Sequence, residues 1–296
     1  MSNRYQTRSP LLSGVDFSKM TGEDLKAAFL EMLNAGIHGI SFSVYLNDQA
    51  PGSQISAQQI SERMQVIKPY VKWIRSFSCT DGNEQIPRIG HENGLKTLVG
   101  AWLGSDAEKN EREIEAVIKV AQAGHADIVA VGNEVLLRGD LSEDQLIGLI
   151  QRVKQAIPGI PVGYVDAYYE FAVHPRVSDA CDVILANCYP FWEGYPFEHS
   201  LAYLKGMYQT ALSAGRGKKV IVTETGWPNL GSAERAAVPS YENAMRYFIN
   251  TYTWAAAEQV EVFYFSSFDE LWKVGAEGDV GAYWGLWDID GNLKYR

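Results

Sequence analysis

The chain has 296 residues, of which 46% are hydrophobic and 21% are charged, and this composition excludes an intrinsically disordered protein. Lys and Arg total 26 against 36 Asp and Glu, so the formal charge of −10 argues against nucleic acids and anionic membranes as partners. Three cysteines in so long a chain exclude a disulfide framework, and we expect Cys79, Cys181 and Cys188 to be buried thiols.

Strand-like and helical segments alternate along the chain. An amphipathic helix is predicted over residues 21–34, before the first strand. Eight runs rich in β-branched and aromatic residues follow, at 37–45, 71–78, 95–102, 127–134, 160–166, 182–189, 219–224 and 260–268. Helical patterns lie between most of them, at 56–68, 106–123, 142–156, 197–213 and 240–257, the last with Ser240 as its expected N-cap.

This alternation predicts parallel strands joined by right-handed crossovers, in either an open sheet or a closed barrel. Eight units favour a (β/α)8 TIM barrel, and the absence of a glycine-rich phosphate fingerprint after the first strand argues against nucleotide cofactors. The stretch 275–290 after the eighth strand shows no helical pattern, so we expect helix 21–34 to close the barrel there. Residues 1–20 are then an N-terminal extension, and residues 21–296 form the barrel as a single domain.

Targeting signals are not evident in the sequence. The first residues lead into no apolar signal-peptide core, and no run reaches the ~18 apolar residues of a membrane helix, so no membrane insertion of this chain is expected. The sequence does not determine the cellular compartment, because the protein would be periplasmic or secreted if the chain is cut from a longer protein. The oligomeric state is equally open.

Two of the predicted strands end in a glutamate. The run 127–134 closes with Glu134 and the run 219–224 with Glu224, and active sites in such barrels lie at these strand ends. A single buried carboxylate often caps a helix or pairs with an arginine, but two that converge indicate a use for their charge. Paired carboxylates cleave glycosides, because one protonates the leaving oxygen while the other attacks carbon or activates water.

Aromatic residues are concentrated in the second part of the chain, where 26 of the 35 Phe, Trp and Tyr follow Pro158. The segment 190–195 is typical of a loop, and we expect its Phe191 and Trp192 to be exposed beside the carboxylates. Exposed rings suit the apolar faces of sugars, so a carbohydrate cleft is the leading hypothesis. The five histidines lack metal-ligand spacing, and no metal or other cofactor is predicted.

These motifs resemble glycoside hydrolase family 17, the β-1,3-glucanase family, and most closely its bacterial glucanases and glucanosyltransferases. The resemblance spans most of the chain in the expected order, and it rests on Val131-Gly132-Asn133-Glu134, Thr223-Glu224-Thr225-Gly226-Trp227-Pro228, Phe268-Asp269-Glu270 with Lys273, Ile74-Arg75-Ser76-Phe77-Ser78 and Tyr283-Trp284-Gly285-Leu286-Trp287. The segment from Glu224 to Pro228 is its most specific part.

The resemblance implies a (β/α)8 barrel and a retaining mechanism, with Glu134 as acid/base and Glu224 as nucleophile about 5 to 5.5 Å apart. By the same resemblance Asn133 binds the sugar 2-hydroxyl and Tyr189 orients the nucleophile. Further cleft positions are Tyr45, Arg75, Glu270 and Lys273, and candidate sugar platforms are Trp227 and Trp284. The implied substrate is a β-glucan oligosaccharide or polysaccharide.

Several alternatives stay open at this point. Hydrolysis and transglycosylation share the covalent intermediate, so the catalytic residues do not separate them. An aromatic acceptor side, to which Phe191, Trp192 and Tyr195 could contribute, favours transfer. A barrel glycosidase for another linkage, such as β-1,4-mannan, and a non-catalytic glucan-binding module are the rival hypotheses.

Overall fold

Short runs rich in Val and Ile, whose branched side chains suit a pleated surface, form eight parallel strands that pair in chain order and close into a barrel. This computed structural model describes residues 14–296. The strands are β1 (Ile37–Ser41), β2 (Val71–Ser76), β3 (Lys96–Ala101), β4 (Ile128–Asn133), β5 (Val162–Ala167), β6 (Val183–Asn187), β7 (Lys219–Thr225) and β8 (Val262–Tyr264). The predicted (β/α)8 barrel is confirmed, although β1 and β8 are shorter than expected.

Helices cover the outside of the barrel, and polar residues accept hydrogen bonds from backbone amides at several of their starts. Ser240 accepts such a bond from Asn243 at 3.0 Å, as predicted. The helices are α1 (Gly22–Asn34), α2 (Ala57–Ile67), α3 (Ile86–Glu92), α4 (Ala107–Gln122), α5 (Glu143–Ala156), α6 (Glu170–Val173), α7 (Pro175–Ala180), α8 (Phe197–Gly215) and α9 (Tyr241–Glu258). The short helices α3, α6 and α7 were not predicted.

Helix α1 packs beside α9, the helix between β7 and β8. The ring centroid of Phe29 lies 4.7 Å from that of Phe248 in α9 and 4.8 Å from that of Tyr295. Phe248 in turn lies 5.2 Å from Tyr264 in β8. Helix α1 therefore takes the place of an eighth barrel helix, as expected from its apolar face.

The predicted extension, 1–20, is described only in part, because residues 1–13 lie outside the described residues. Its later part contacts the barrel: the amide of Val15 donates to Asn250 Oδ1 at 2.8 Å, and the ring of Phe17 lies 6.3 Å from that of Phe197. The division into extension and catalytic domain remains a prediction.

Side chains fill the inside of the barrel, so that it is a packed core rather than a pore. The inner cluster is Leu98, Ile128, Ala130, Val165, Val183, Leu185, Ile221 and Phe263. Gly39 makes room for this packing, since a Cβ there would lie 2.7 Å from the Phe263 ring. The free volume for a ligand therefore lies at the end of the barrel.

The segment after β8 folds across the carboxyl end of the barrel. The amide of Ser266 donates to the carbonyl of Trp284, and that of Leu286 donates back to Ser266, both at 3.0 Å. Lys294 Nζ binds Asp269 Oδ1 at 2.7 Å and Asn229 Oδ1 at 2.6 Å. These bonds hold the Gly- and Trp-rich stretch close to the strand ends.

The three cysteines are free and buried, as expected. Within residues 14–296, every helix is too short or too polar to cross a bilayer.

Candidate active site

Glu134 and Glu224 project from the same end of the barrel into one cleft. Glu134 follows β4 directly and has φ of 52°, a left-handed conformation that is uncommon for residues other than glycine. Gly132 has φ of 88°, and a Cβ on it would lie 2.9 Å from Val135. The chain therefore makes a sharp turn at the end of β4, and this turn presents the Glu134 carboxyl.

Both carboxylate oxygens of Glu224 accept hydrogen bonds. Arg75 Nη1 donates to Oε1 at 2.5 Å, and the Tyr189 hydroxyl donates to Oε2 at 2.7 Å. Arg75 Nη2 donates to Asn133 Oδ1 at 2.7 Å, so one buried guanidinium links the ends of β4 and β7. This arrangement orients Glu224 and suits its ionised form, because buried charges are stable only when paired.

Glu134 lies in a different electrostatic environment. Asn187 Nδ2 donates to its Oε1 at 2.8 Å. Burial, together with the negative charge of Glu224, raises the pKa of Glu134 from 4.5 to about 7. The site thus contains a proton donor beside a carboxylate whose oxygens are held in place.

A phenol and a carboxyl on β5 support the turn that follows Glu134. The Tyr164 hydroxyl accepts a bond from the amide of Leu136 at 2.9 Å and donates to Asp166. Asp166 is fully buried, and burial raises its pKa to about 6. Because the backbone amide of Glu134 also donates to Val165 at 2.8 Å, the turn is fixed to β5 at two points.

The cleft has a volume of about 1130 Å³, which exceeds the usual range for a single small ligand. Most residues predicted from the sequence as site residues line it: Tyr45, Asn133, Glu134, Tyr189, Trp192, Glu224, Glu270, Lys273 and Trp284. Arg75 is only 2% exposed and lies beneath the cleft floor, where its guanidinium carbon is 4.2 Å from the Phe77 ring centroid.

Lys273 and Glu270 form a buried ion pair in the cleft wall, with Lys273 Nζ 3.1 Å from Glu270 Oε2 and 3.6 Å from Glu277 Oε1. Burial alone would lower the pKa of Lys273, but Glu270, Glu277 and Glu224 outweigh it and raise that pKa. Lys273 therefore stays charged. Trp272 adds a hydrogen bond from its indole nitrogen to Glu270 Oε1 at 3.3 Å.

Two predicted sugar contacts are wrong. Trp227 and Phe191 are 1% and 0% exposed, and neither lines the cleft. The Trp227 indole donates to the carbonyl of Val238 at 3.0 Å, and its ring centroid lies 5.3 Å from that of Phe191. The loop turns Phe191 inward behind Trp284, at 5.4 Å between ring centroids, so both residues support the cleft wall from behind.

The burial of Trp227 predicts that this residue contributes to stability rather than to sugar binding. Trp227→Ala should lower the free energy of unfolding by about 3 to 5 kcal/mol, because it leaves a large cavity in the aromatic core. Urea unfolding followed by circular dichroism measures this change. Trp192→Ala is the matched control, since Trp192 is partly exposed and should cost clearly less. Equal stability of the two variants would contradict the placement of Trp227.

Several residues with contacts in the site were not predicted from the sequence as site residues, among them Trp102, Glu113, Asp166 and Asn187. Asn187 is the last residue of β6 and Trp102 follows β3, so the strand-end rule could have found both. Glu113 lies within α4 and carries no such signal. It accepts bonds from the amides of Cys79 and Trp102, at 2.8 and 3.2 Å.

Comparison with known proteins gives consistent matches over most of the chain. The sequence profile of the BtgE/BtgC glycoside hydrolase domain matches residues 39–285. A glucan 1,3-beta-glucosidase of Arthroderma benhamiae is 27% identical over 287 residues, covering 88% of this chain and 90% of that protein.

Two solved structures of a fungal enzyme are also similar. An active-site mutant of Rhizomucor miehei beta-1,3-glucanosyltransferase in complex with laminaritriose superimposes with a TM-score of 0.79 and 27% identity. The glycoside hydrolase family 17 beta-1,3-glucanosyltransferase from the same organism gives a TM-score of 0.78, and both matches cover 88% of this chain and 96% of the other.

Proposed function

Because the chain belongs to the BtgE/BtgC glycoside hydrolase domain family, we propose that it cleaves or transfers β-1,3-linked glucan through a covalent glycosyl-enzyme intermediate. Relatives over most of its length are glucan 1,3-beta-glucosidases, and a similar solved structure is a glucanosyltransferase in complex with laminaritriose. The substrate is accordingly a β-1,3-glucan oligosaccharide or polysaccharide.

Glu224 is the nucleophile and Glu134 the acid/base in this proposal. The observation that carries it is the contrast between them: Glu134 has a pKa of about 7, while both oxygens of Glu224 are held by Arg75 and Tyr189. A group that stays protonated near neutral pH can donate a proton, and an oriented carboxylate can attack carbon.

The first step forms an ester bond between Glu224 and the anomeric carbon. As that bond forms, the glycosidic C–O bond breaks and the Glu134 proton moves to the departing oxygen. Esterification removes the negative charge of Glu224, and the pKa of Glu134 then falls. The Glu134 carboxylate next takes a proton from water or from a sugar hydroxyl, whose oxygen attacks the anomeric carbon and releases Glu224.

The neighbouring residues have supporting roles in this proposal. Asn133 Oδ1 accepts its bond from Arg75, which leaves the Asn133 amide nitrogen for the sugar 2-hydroxyl. Arg75 and Tyr189 position Glu224. Direct contacts to sugars come from residues that line the cleft: Tyr45, Trp192, Glu270, Lys273 and Trp284.

Product analysis tests the proposed function. A β-1,3-gluco-oligosaccharide labelled at its reducing end is incubated with the protein at rising substrate concentration, and the products are separated by chromatography. Shorter products alone identify a hydrolase, and products longer than the substrate identify a glucanosyltransferase. Turnover of β-1,4-mannan without any action on laminari-oligosaccharides would overturn the proposal, as would binding without product.

The pH dependence of kcat/KM gives a further test. Glu134 must be protonated for the first step, and its pKa of about 7 lies above the usual 4.5, so kcat/KM should fall as the pH rises through about 7. The profile is measured from pH 4 to 9 with a laminari-oligosaccharide. A dinitrophenyl glycoside is the control, because its leaving group needs no proton and its alkaline decline should be weaker. A decline that begins near pH 4.5 would contradict the role of Glu134.

A further inference from the structure

Trp102 is the most exposed tryptophan of the protein, with 43% of its surface accessible, and it lines the cleft. An exposed indole costs free energy in water unless something covers it. Trp102 follows β3, and the loop residue Trp192 follows β6. Because Glu134 and Glu224 lie at the ends of β4 and β7, the two tryptophans flank the carboxyl pair on opposite sides of the barrel mouth.

The backbone around Trp102 is fixed by buried side chains. The amide of Trp102 donates to Glu113 Oε2 at 3.2 Å. The Asn110 side chain binds both the amide and the carbonyl of Gly104, at 2.8 and 2.7 Å. Glu113 itself is held by Ser78, whose hydroxyl donates to Oε1 at 2.5 Å. The segment that carries the indole is therefore rigid before any ligand arrives.

Arg138 fixes the indole ring and connects it to the catalytic turn. Its guanidinium carbon lies 5.0 Å from the Trp102 ring centroid, a cation–π distance. The guanidinium donates to the carbonyls of Asn133 at 2.5 Å and Leu103 at 2.9 Å, and it pairs with Asp140 at 2.7 Å. Because these contacts hold Arg138 in one orientation against the Trp102 ring, less conformational entropy is lost when a ligand binds.

We propose that the Trp102 indole is the platform of a separate sugar subsite, which binds a glucosyl residue of the β-1,3-glucan chain beyond those that touch Glu134 and Glu224. This inference rests on the proposed function. The apolar face of the sugar stacks on the indole and covers surface that is otherwise exposed. The subsite makes the enzyme favour chains long enough to reach it.

The test measures kcat/KM for laminari-oligosaccharides of two to seven glucosyl residues. Trp102→Ala should leave the shortest substrates unchanged and lower kcat/KM by about 3- to 10-fold for every substrate long enough to reach the subsite. Trp102→Phe keeps a ring and should restore most of this loss. Tyr241→Ala removes an aromatic residue of similar exposure away from the cleft, and it should show no dependence on chain length.

Binding provides a second readout that does not require turnover. The affinity of laminariheptaose is measured by calorimetry for Glu224→Ala and for Glu224→Ala combined with Trp102→Ala, and the double variant should bind about 3- to 10-fold more weakly. An equal loss at all chain lengths, or no loss at any, would overturn the subsite. Failure of the wild-type protein to act on any laminari-oligosaccharide would instead overturn the proposed function, and the subsite with it.

Discussion

Glu224→Ala should reduce the turnover of laminari-oligosaccharides by about 10⁴-fold or more, because removal of a nucleophile eliminates the covalent route. Added azide should restore product formation by occupying the space of the lost carboxylate. It attacks the anomeric carbon from the side of Glu224, so the product is the α-glycosyl azide. Turnover comparable to that of the wild type would overturn the assignment.

The fold of this variant needs its own control. Removal of Glu224 leaves Arg75 buried without its carboxylate partner, and broken buried pairs destabilise proteins by about 3 to 5 kcal/mol. Glu224→Gln preserves the volume of the side chain and should be less destabilised, yet equally impaired in turnover. Thermal unfolding of both variants separates loss of chemistry from loss of structure.

Glu134→Ala should lower kcat/KM about 10²- to 10⁴-fold for oligosaccharides, which is the usual contribution of general acid–base catalysis. The loss should be smaller for a dinitrophenyl glycoside, whose departure needs no proton. With the dinitrophenyl glycoside, which still forms the glycosyl-enzyme, azide should again restore turnover, but as the β-glycosyl azide, because it attacks that intermediate from the side of Glu134. Formation of the α-glycosyl azide by this variant would instead indicate that Glu134 is the nucleophile and Glu224 the acid/base.

Glu277→Ala is the matched control for both variants. Glu277 is another carboxyl that lines the cleft, and its closest charged partner is Lys273 rather than a reacting atom. Azide should give neither glycosyl azide with this variant, and nuclear magnetic resonance of the isolated products distinguishes the two anomers. Azide rescue of Glu277→Ala would contradict the assignment of the carboxyl pair.

The barrel and the carboxyl pair were predictable from the sequence because both depend on local order. Buried parallel strands appear as apolar runs, and a glutamate at the end of such a run is conspicuous, as with Glu134 and Glu224. The helix before β1 was predictable as a cover because its apolar face required a partner. Each of these features can be predicted from the composition of one segment and its position in the chain.

The individual hydrogen bonds of the pair were not predictable from residue patterns, although several of the residues that make them were, because each bond joins distant segments of the chain. Asn187 reaches Glu134 across 53 positions, and Arg75 reaches Glu224 across 149. Phe191 and Trp192 are adjacent in one loop, yet one is buried and the other lines the cleft. The direction of a side chain in an irregular loop follows from its tertiary contacts, and no periodicity in the sequence records it.

The three buried thiols make the protein suitable for site-specific labelling. Burial raises the pKa of Cys79, Cys181 and Cys188, so a maleimide meets neither an accessible sulfur nor a thiolate while the chain is folded. A cysteine introduced on the rim of the cleft could therefore carry a fluorophore without replacement of the native ones. The native thiols would react only when the barrel opens, and their rate of modification would report how often it does.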